Sequence, residues 1–137
     1  MTTQYWLVKS EPKTYSWDDL VRDGRTDWTG VRNYAARLHL RAMQPGDQVC
    51  FYHSGEARSI VGFAQVTKAA FPDPTADEPG WVAVELRAGA PLKNPVTLAQ
   101  IKATPVLKAM ELVRQSRLSV SPVQPAEFAQ IRKLGGG

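Results

Sequence analysis

Glu11 and His53 are residue types that perform acid–base chemistry, and each follows an apolar run typical of a strand. A carboxylate and an imidazole that reach one substrate can serve as general acid and general base. Nothing in the spacing pairs them, and a histidine at a strand end is more often a hydrogen-bonded structural residue than a catalyst. An enzyme that uses Glu11 and His53 is therefore an alternative that stays open.

Cys50, the single cysteine, does not add a further catalytic or metal-binding signal. Zinc sites need about four ligands, and Cys50 with His53 supplies only one pair. Residues three apart on a strand point to opposite faces, which also argues against a cysteine–histidine nucleophile. We expect Cys50 to be a small core residue and expect no metal site. The chain also lacks the glycine-rich loops that cradle ATP, GTP or NAD(P), so no cofactor is predicted.

Polar and aromatic residues cluster instead at the ends of predicted segments, namely Lys9 to Glu11, Trp28 to Tyr34, Tyr52 to Ser54 and Arg117 to Ser119. An aromatic wall with a few fixed hydrogen-bonding groups is what a flat heteroaromatic ligand, such as an extruded base, requires. This pattern favours recognition over catalysis.

Each of these residues also has a purely structural interpretation. Trp28 can plug the core where a loop meets the sheet, as most tryptophans do. Asn33 is well placed to cap the helix that follows it. Lys9 and Glu11 can form a solvated ion pair that contributes little to stability. The sequence leaves both sets of interpretations open.

Short strands and helices must position these clusters. Strands are predicted over 5–8, 48–52, 59–71, 81–86 and 118–123, and helices over 16–23, 31–43, 97–103, 106–115 and 125–133. The first strand is expected to be covered on both faces, and Pro12 to end its ladder. On the second helix we expect Val31, Tyr34 or Ala35, Leu38 and Ala42 to face inward. The spacing favours an α+β domain around a mostly antiparallel or mixed curved sheet.

Size and charge set the frame for these elements. A chain of 137 residues with 43% hydrophobic content suits one domain, predicted over 1–134 with a flexible tail at 135–137. The net charge of +4 is compatible with a polyanionic partner. The sequence shows neither a secretory signal nor a membrane-spanning run, and a lone cysteine suits a reducing compartment. We expect a cytoplasmic protein that does not bind membranes.

At this point the sequence resembles the EVE domain family. The motifs that carry the resemblance are Trp6 to Pro12, Trp28 to Tyr34, Gly46-Asp47, Phe51 to Ser54, Phe71 to Thr75, Pro95 to Leu98 and Leu112 to Val120, and they span nearly the entire chain. The resemblance implies a PUA-like curved mixed β-barrel with peripheral helices. It further implies a bacterial, monomeric, non-enzymatic reader that accommodates a modified base, either modified cytosine in DNA or a modified base in RNA.

The resemblance also implies a binding site. Trp28 would form its aromatic wall and Arg32 and Arg117 would face phosphate or hold the rim, with Tyr34 in the same binding set. The polar lining would consist of Lys9, Ser10, Glu11, Asn33, His53, Ser54 and Ser119. Two other functions remain as alternatives: an enzyme acting on nucleic acid or nucleotides through Glu11 and His53, and an interaction domain that binds a peptide or small molecule.

Overall fold

Apolar runs bounded by glycine, proline and aspartate form the strands in the computed structural model, which describes residues 3–136. Six strands occur in this range: β1 Tyr5–Ser10, β2 Arg25–Trp28, β3 Gln48–His53, β4 Ser59–Pro72, β5 Val82–Thr97 and β6 Val120–Val123. Five helices accompany them: α1 Trp17–Asp23, α2 Tyr34–Ala42, α3 Leu98–Ala103, α4 Glu111–Arg114 and α5 Pro125–Leu134. None of the helices between residues 3 and 136 has the length and apolar character needed to cross a membrane.

The strands form one mixed sheet in the order β2-β5-β4-β3-β1-β6. Only β1 and β3 pair in parallel, and the other neighbours are antiparallel. The predicted α+β class with a mixed sheet is confirmed. The predicted curved β-barrel is corrected, because β2 and β6 pair with one neighbour each over residues 3–136 and leave the sheet open. Both edge strands have four residues, which limits the ladder they offer to a further strand.

Apolar clusters cover both faces of the sheet, as the sequence predicted for β1. Trp6 and Val8 pack on one side with Trp17, Leu20 and Phe51. On the other side, Leu7 packs in a second cluster with Cys50, which is fully buried as expected. The alternation along β1 follows from the two-residue repeat of a strand. This double covering makes β1 a rigid support for the polar residues at its carboxyl end.

Helix α2 is shorter than predicted, and its predicted inward face is wrong except for Val31, which is buried but precedes the helix. The helix begins at Tyr34 after the cap Asn33, and Ala36 and Leu40 are the residues it buries. Tyr34 and Leu38 are 69% and 61% exposed. The spacing of Ala36, Leu40 and Met43 also matches one helical face, and the small Ala36 allows the helix to lie close to the sheet. Several faces of α2 carry apolar residues, so periodicity alone chose the wrong one.

Three other elements differ from the prediction. The sequence predicted no strand at β2, because the short and largely polar run Arg25–Trp28 gains its structure from pairing with β5. Strand β5 continues eleven residues further than expected, to Thr97, with Pro91 accommodated opposite Gly62 between register shifts. The helix predicted over 106–115 is reduced to α4, since successive turns between Thr104 and Met110 precede it.

Candidate functional site

A cavity of about 490 Å³ lies between the edge strand β2 and the carboxyl end of β1. Lys9 and Ser10 at the end of β1 and Ser119 just before β6 line one side. Strand β2 lines the other side through Thr26, Asp27 and Trp28. The cavity has the volume typical of small-ligand pockets.

The polar floor comes from the carboxyl end of β1 and the turn that follows. The Ser10 hydroxyl donates a hydrogen bond to the backbone carbonyl of Tyr15. The lone pairs of the hydroxyl oxygen therefore point away from Tyr15. Lys9 Nζ donates to the carbonyl of Ser116, and burial lowers the pKa of the Lys9 ammonium. The carbonyl of Glu11 accepts from Thr14 and Tyr15, while its side chain is exposed. These bonds hold the floor residues in place before any ligand arrives.

Trp28 forms the aromatic wall of the cavity. The indole is half-buried and meets Phe51 edge-on, with ring centroids 5.6 Å apart and planes at 80°. Tyr15 approaches in the same manner at 6.3 Å and 78°. Neither neighbour stacks parallel to Trp28, and these edge contacts hold the indole in place. A wall of this kind suits a planar ligand.

The rim is organised around the buried carboxylate of Asp73. Its oxygens accept from the Gly30 amide at 2.8 Å, from Arg32 Nη1 at 2.9 Å and from the Thr75 amide at 2.7 Å. Burial alone would raise the pKa of Asp73, but the bonds from Thr75, Gly30 and Arg32 together hold this pKa well below its usual range. Arg32 is therefore engaged in a structural ion pair at the rim.

Asn33 completes this side of the cavity and also caps α2. Its side-chain oxygen accepts from the Ala36 amide at 2.9 Å. Since the oxygen is occupied, the side-chain NH₂ is the group that Asn33 can offer to a ligand. The structural and ligand-binding interpretations of Asn33 are thus compatible.

The sequence model of the EVE domain family matches residues 4–134. The chain belongs to the EVE domain family. Rpa0253 from Rhodopseudomonas palustris, solved by NMR, is 49% identical with a TM-score of 0.93, and the match covers 98% of this chain and 94% of that one. Mouse thymocyte nuclear protein 1 is 33% identical over 96% of this chain and 74% of its own length.

A relative of this EVE domain has been solved with nucleic acid. The crystal structure of human THYN1 protein in complex with DNA containing 5-methylcytosine is 32% identical to this chain, with a TM-score of 0.89. The match covers 98% of this chain and 99% of that one.

Seven of the eleven residues predicted for the site line the cavity of this EVE domain: Lys9, Ser10, Glu11, Trp28, Arg32, Asn33 and Ser119. The other four lie elsewhere. Arg117 lies with Leu118 in a neighbouring groove that shares Asn33 with the cavity. Ser54 donates its amide to the carbonyl of Ser10 and so supports the floor from behind.

His53 is committed to a structural hydrogen bond. Its Nε2 accepts from the Trp17 amide at 3.0 Å, which places the proton of the neutral ring on Nδ1. Burial lowers the pKa of His53, against the opposing effect of Asp18 and Glu11. Among the described residues no hydrogen bond joins His53 to Glu11, so the geometry of an acid–base pair is missing. Within residues 3–136, no three His, Cys, Asp or Glu side chains converge as metal ligands.

Sequence reasoning missed the contribution of Thr26, Asp27 and Tyr15 to the cavity. A signal for the first two exists, since Gly24 and Gly30 bracket a short run that contains Thr26 and Trp28, two residue types common in strands. The side chains of Thr26 and Asp27 could be assigned to the cavity only after the structure placed β2 at the edge of the sheet. Tyr34, the last of the predicted residues, stacks on Trp81 outside the cavity.

Proposed function

We propose that this EVE domain is a non-enzymatic DNA-binding module that takes a modified cytosine base into the cavity between β2 and β1. The observation that carries the proposal is the cavity itself, with one fixed indole wall and a polar floor. The complex of the human THYN1 protein with DNA containing 5-methylcytosine supports the choice of ligand. We also propose that residues 1–134 act as one domain and as a monomer, in line with the family match over 4–134.

In this proposal the base stacks on Trp28, and polar groups read its edge. Ser10, whose hydroxyl proton is used on Tyr15, offers lone pairs to an exocyclic amine. The Asn33 NH₂ offers donors to a base carbonyl or ring nitrogen. A base must leave its stack to enter such a pocket, which costs a few kcal/mol, least in single strands. The binding energy must therefore come from stacking and desolvated hydrogen bonds together.

The structure also favours binding over catalysis. A general base must be free to accept a proton, yet His53 Nε2 already accepts the Trp17 amide proton at 3.0 Å. Lys9 is likewise committed to the carbonyl of Ser116. The polar groups near the cavity are thus arranged to hold a ligand in a fixed orientation.

Binding to fluorescent oligonucleotides tests the proposal. Single-stranded and duplex DNA with one central 5-methylcytosine are compared with the same sequence carrying cytosine, and with RNA counterparts. We expect tighter binding of the methylated DNA, and Trp28→Ala should weaken it by about 1 to 3 kcal/mol because the stacking platform is lost. Trp28→Phe is the matched variant and should retain part of this energy.

Thermal unfolding of both variants shows whether a loss of binding reflects a loss of fold. Equal affinity for methylated and unmethylated DNA, or wild-type binding by folded Trp28→Ala, contradicts the proposal. If the RNA oligonucleotides bind more tightly than the DNA, the ligand is RNA, and the cavity remains its proposed binding site.

A further inference from the structure

Tyr34, Trp81 and Arg37 form a second aromatic surface beside the cavity, which we name the Tyr34 platform. The Tyr34 ring stacks on Trp81 with centroids 5.3 Å apart and an interplanar angle of 29°. The Arg37 guanidinium lies 4.9 Å from the centroid of each ring. Tyr34 nevertheless remains 69% exposed. Exposed aromatic side chains serve as platforms for base stacking in proteins that bind single-stranded nucleic acid.

The platform is held rigidly between two elements. Gly80, next to Trp81 and just before β5, has its carbonyl oxygen 3.2 Å from Arg37 Nη1 and 2.9 Å from Arg41 Nη2, and both nitrogens donate to it. These bonds tie the loop before β5 to α2, which begins at Tyr34. A ring that is already ordered loses little conformational entropy when a ligand stacks on it.

The platform also carries positive charge that no acid neutralises within residues 3–136. Among the described residues, neither Asp77 nor Glu78, the exposed acids of the same loop, forms an ion pair with Arg37 or Arg41, and the buried Asp73 of that loop pairs with Arg32. Arg37 Nε is buried and has no hydrogen-bond partner among the described residues, so the rings and Gly80 hold this guanidinium in place. Two cationic side chains beside a flat ring match the chemistry of a nucleotide, which has a planar base and an anionic phosphate.

The platform is continuous with the cavity. Arg32 lines the cavity, and its guanidinium also lies 5.7 Å from the Trp81 centroid. Asn33, which lines the cavity too, directly precedes Tyr34 in the chain. A DNA strand that places one base in the cavity therefore passes over Arg32 before its next nucleotide reaches Tyr34.

We propose that the Tyr34 platform binds the nucleotide that flanks the base held in the cavity. The flanking base stacks on Tyr34, and Arg37 with Arg41 contacts its phosphate. This inference rests on the proposed function of the cavity and extends it, because the platform would hold the neighbouring nucleotide through stacking and a phosphate contact.

A double-mutant cycle between protein and DNA tests the platform. Wild type and Tyr34→Ala are titrated with a single-stranded oligonucleotide carrying one central 5-methylcytosine, and with versions in which an abasic site replaces the 5′ or the 3′ neighbour. With intact DNA we expect Tyr34→Ala to bind about tenfold more weakly. With the abasic site on the side of the platform, the two proteins should bind equally, since there is no base left to stack.

Leu38→Ala is the matched control, because Leu38 is a similarly exposed apolar residue on the same helix and lies outside the platform. It should bind intact DNA as wild type does. The platform proposal is overturned if Tyr34→Ala weakens binding equally for the intact and both abasic oligonucleotides. It is also overturned if Tyr34→Ala weakens the binding of none of them. The failure of the cavity proposal looks different, since wild type would then show no preference for 5-methylcytosine over cytosine in any oligonucleotide.

Discussion

Asp73 shows how a single buried residue organises the rim of the cavity. Its side chain is fully buried and joins its own loop, through Thr75, to the loop that contains Gly30 and Arg32. Gly30 has a φ of 83°, a left-handed conformation that glycine adopts without strain, and this presents its amide to the carboxylate. The sequence motif Phe71 to Thr75 pointed to this loop but not to its function as an anchor.

Asp73→Asn should destabilise the domain by about 2 to 4 kcal/mol, because it leaves donors without an anionic acceptor in a buried site. Since the pKa of Asp73 is lowered in the folded state, its contribution is complete above the unfolded carboxyl pKa of about 4. It is lost as the pH falls through the lower folded value. Urea unfolding between pH 7 and pH 2 measures the difference from wild type, which should shrink below about pH 4.

Asp77→Asn is the control for this variant, since Asp77 lies exposed in the same loop and forms no ion pair with any residue between 3 and 136. It should leave unfolding unchanged across the same pH range. A wild-type midpoint for Asp73→Asn at pH 7 would show that the carboxylate does not anchor the rim.

At the level of elements, the contact between α1 and β4 supports the back of the site. Gly62 lies in β4 between two register shifts, and a Cβ built there would be 2.6 Å from Cζ2 of Trp17, the first residue of α1. Trp17 in turn meets Phe51 edge-on at 5.5 Å, and Phe51 meets Trp28. The bulge and the missing side chain at Gly62 therefore set the position of the aromatic wall. Gly62 thus allows the Trp17 ring to approach the backbone of β4 closely.

Gly62→Ala should cost about 1 to 3 kcal/mol of stability, because the added methyl overlaps the Trp17 ring. Trp17→Phe removes the atoms that the methyl would meet, so Gly62→Ala should cost less in that background than in wild type. Urea unfolding of the four proteins of this cycle gives the coupling energy. Additive effects of the two substitutions would show that the space at Gly62 is limited by something other than Trp17.

At the scale of the whole molecule, the distribution of charge matters more than its total. A net charge of +4 over 137 residues is a weak indication of nucleic-acid binding. Helix α2 nevertheless carries Arg37 and Arg41 close to the cavity, and both donate hydrogen bonds to the carbonyl of Gly80. Other cations lie away from this surface, such as Lys133 in the last turn of α5. The affinity for DNA should accordingly depend on a few contacts and only moderately on salt.

The salt dependence of binding measures this distribution. For single-stranded DNA, each lost phosphate contact should reduce the slope of log K against log salt by about 0.7. We therefore expect Arg37→Gln and Arg41→Gln to flatten the slope, and Lys133→Gln to leave it unchanged. A wild-type affinity that does not vary with salt would favour a peptide or small molecule as the ligand of the domain.

The sequence alone determined the local features of this protein, because they depend on neighbours in the chain. The cap of α1 at Ser16, the capping box of Thr97 and Gln100, the two covered faces of β1 and the polar cluster after it all follow from residues a few positions apart. The motifs also identified the EVE domain family, and through it seven of the residues that line the cavity.

Only the tertiary structure decided how these parts meet. The open gap between β2 and β6, the outward direction of Tyr34 and the commitment of His53 to Trp17 depend on strand order and on contacts between distant residues. Local propensity is weak compared with such packing, which fixed β2 as a strand and selected one of several apolar faces of α2. The cavity lined by Lys9, Trp28 and Ser119 could not be read from the linear sequence, because these residues come together only when the strands are arranged in the sheet.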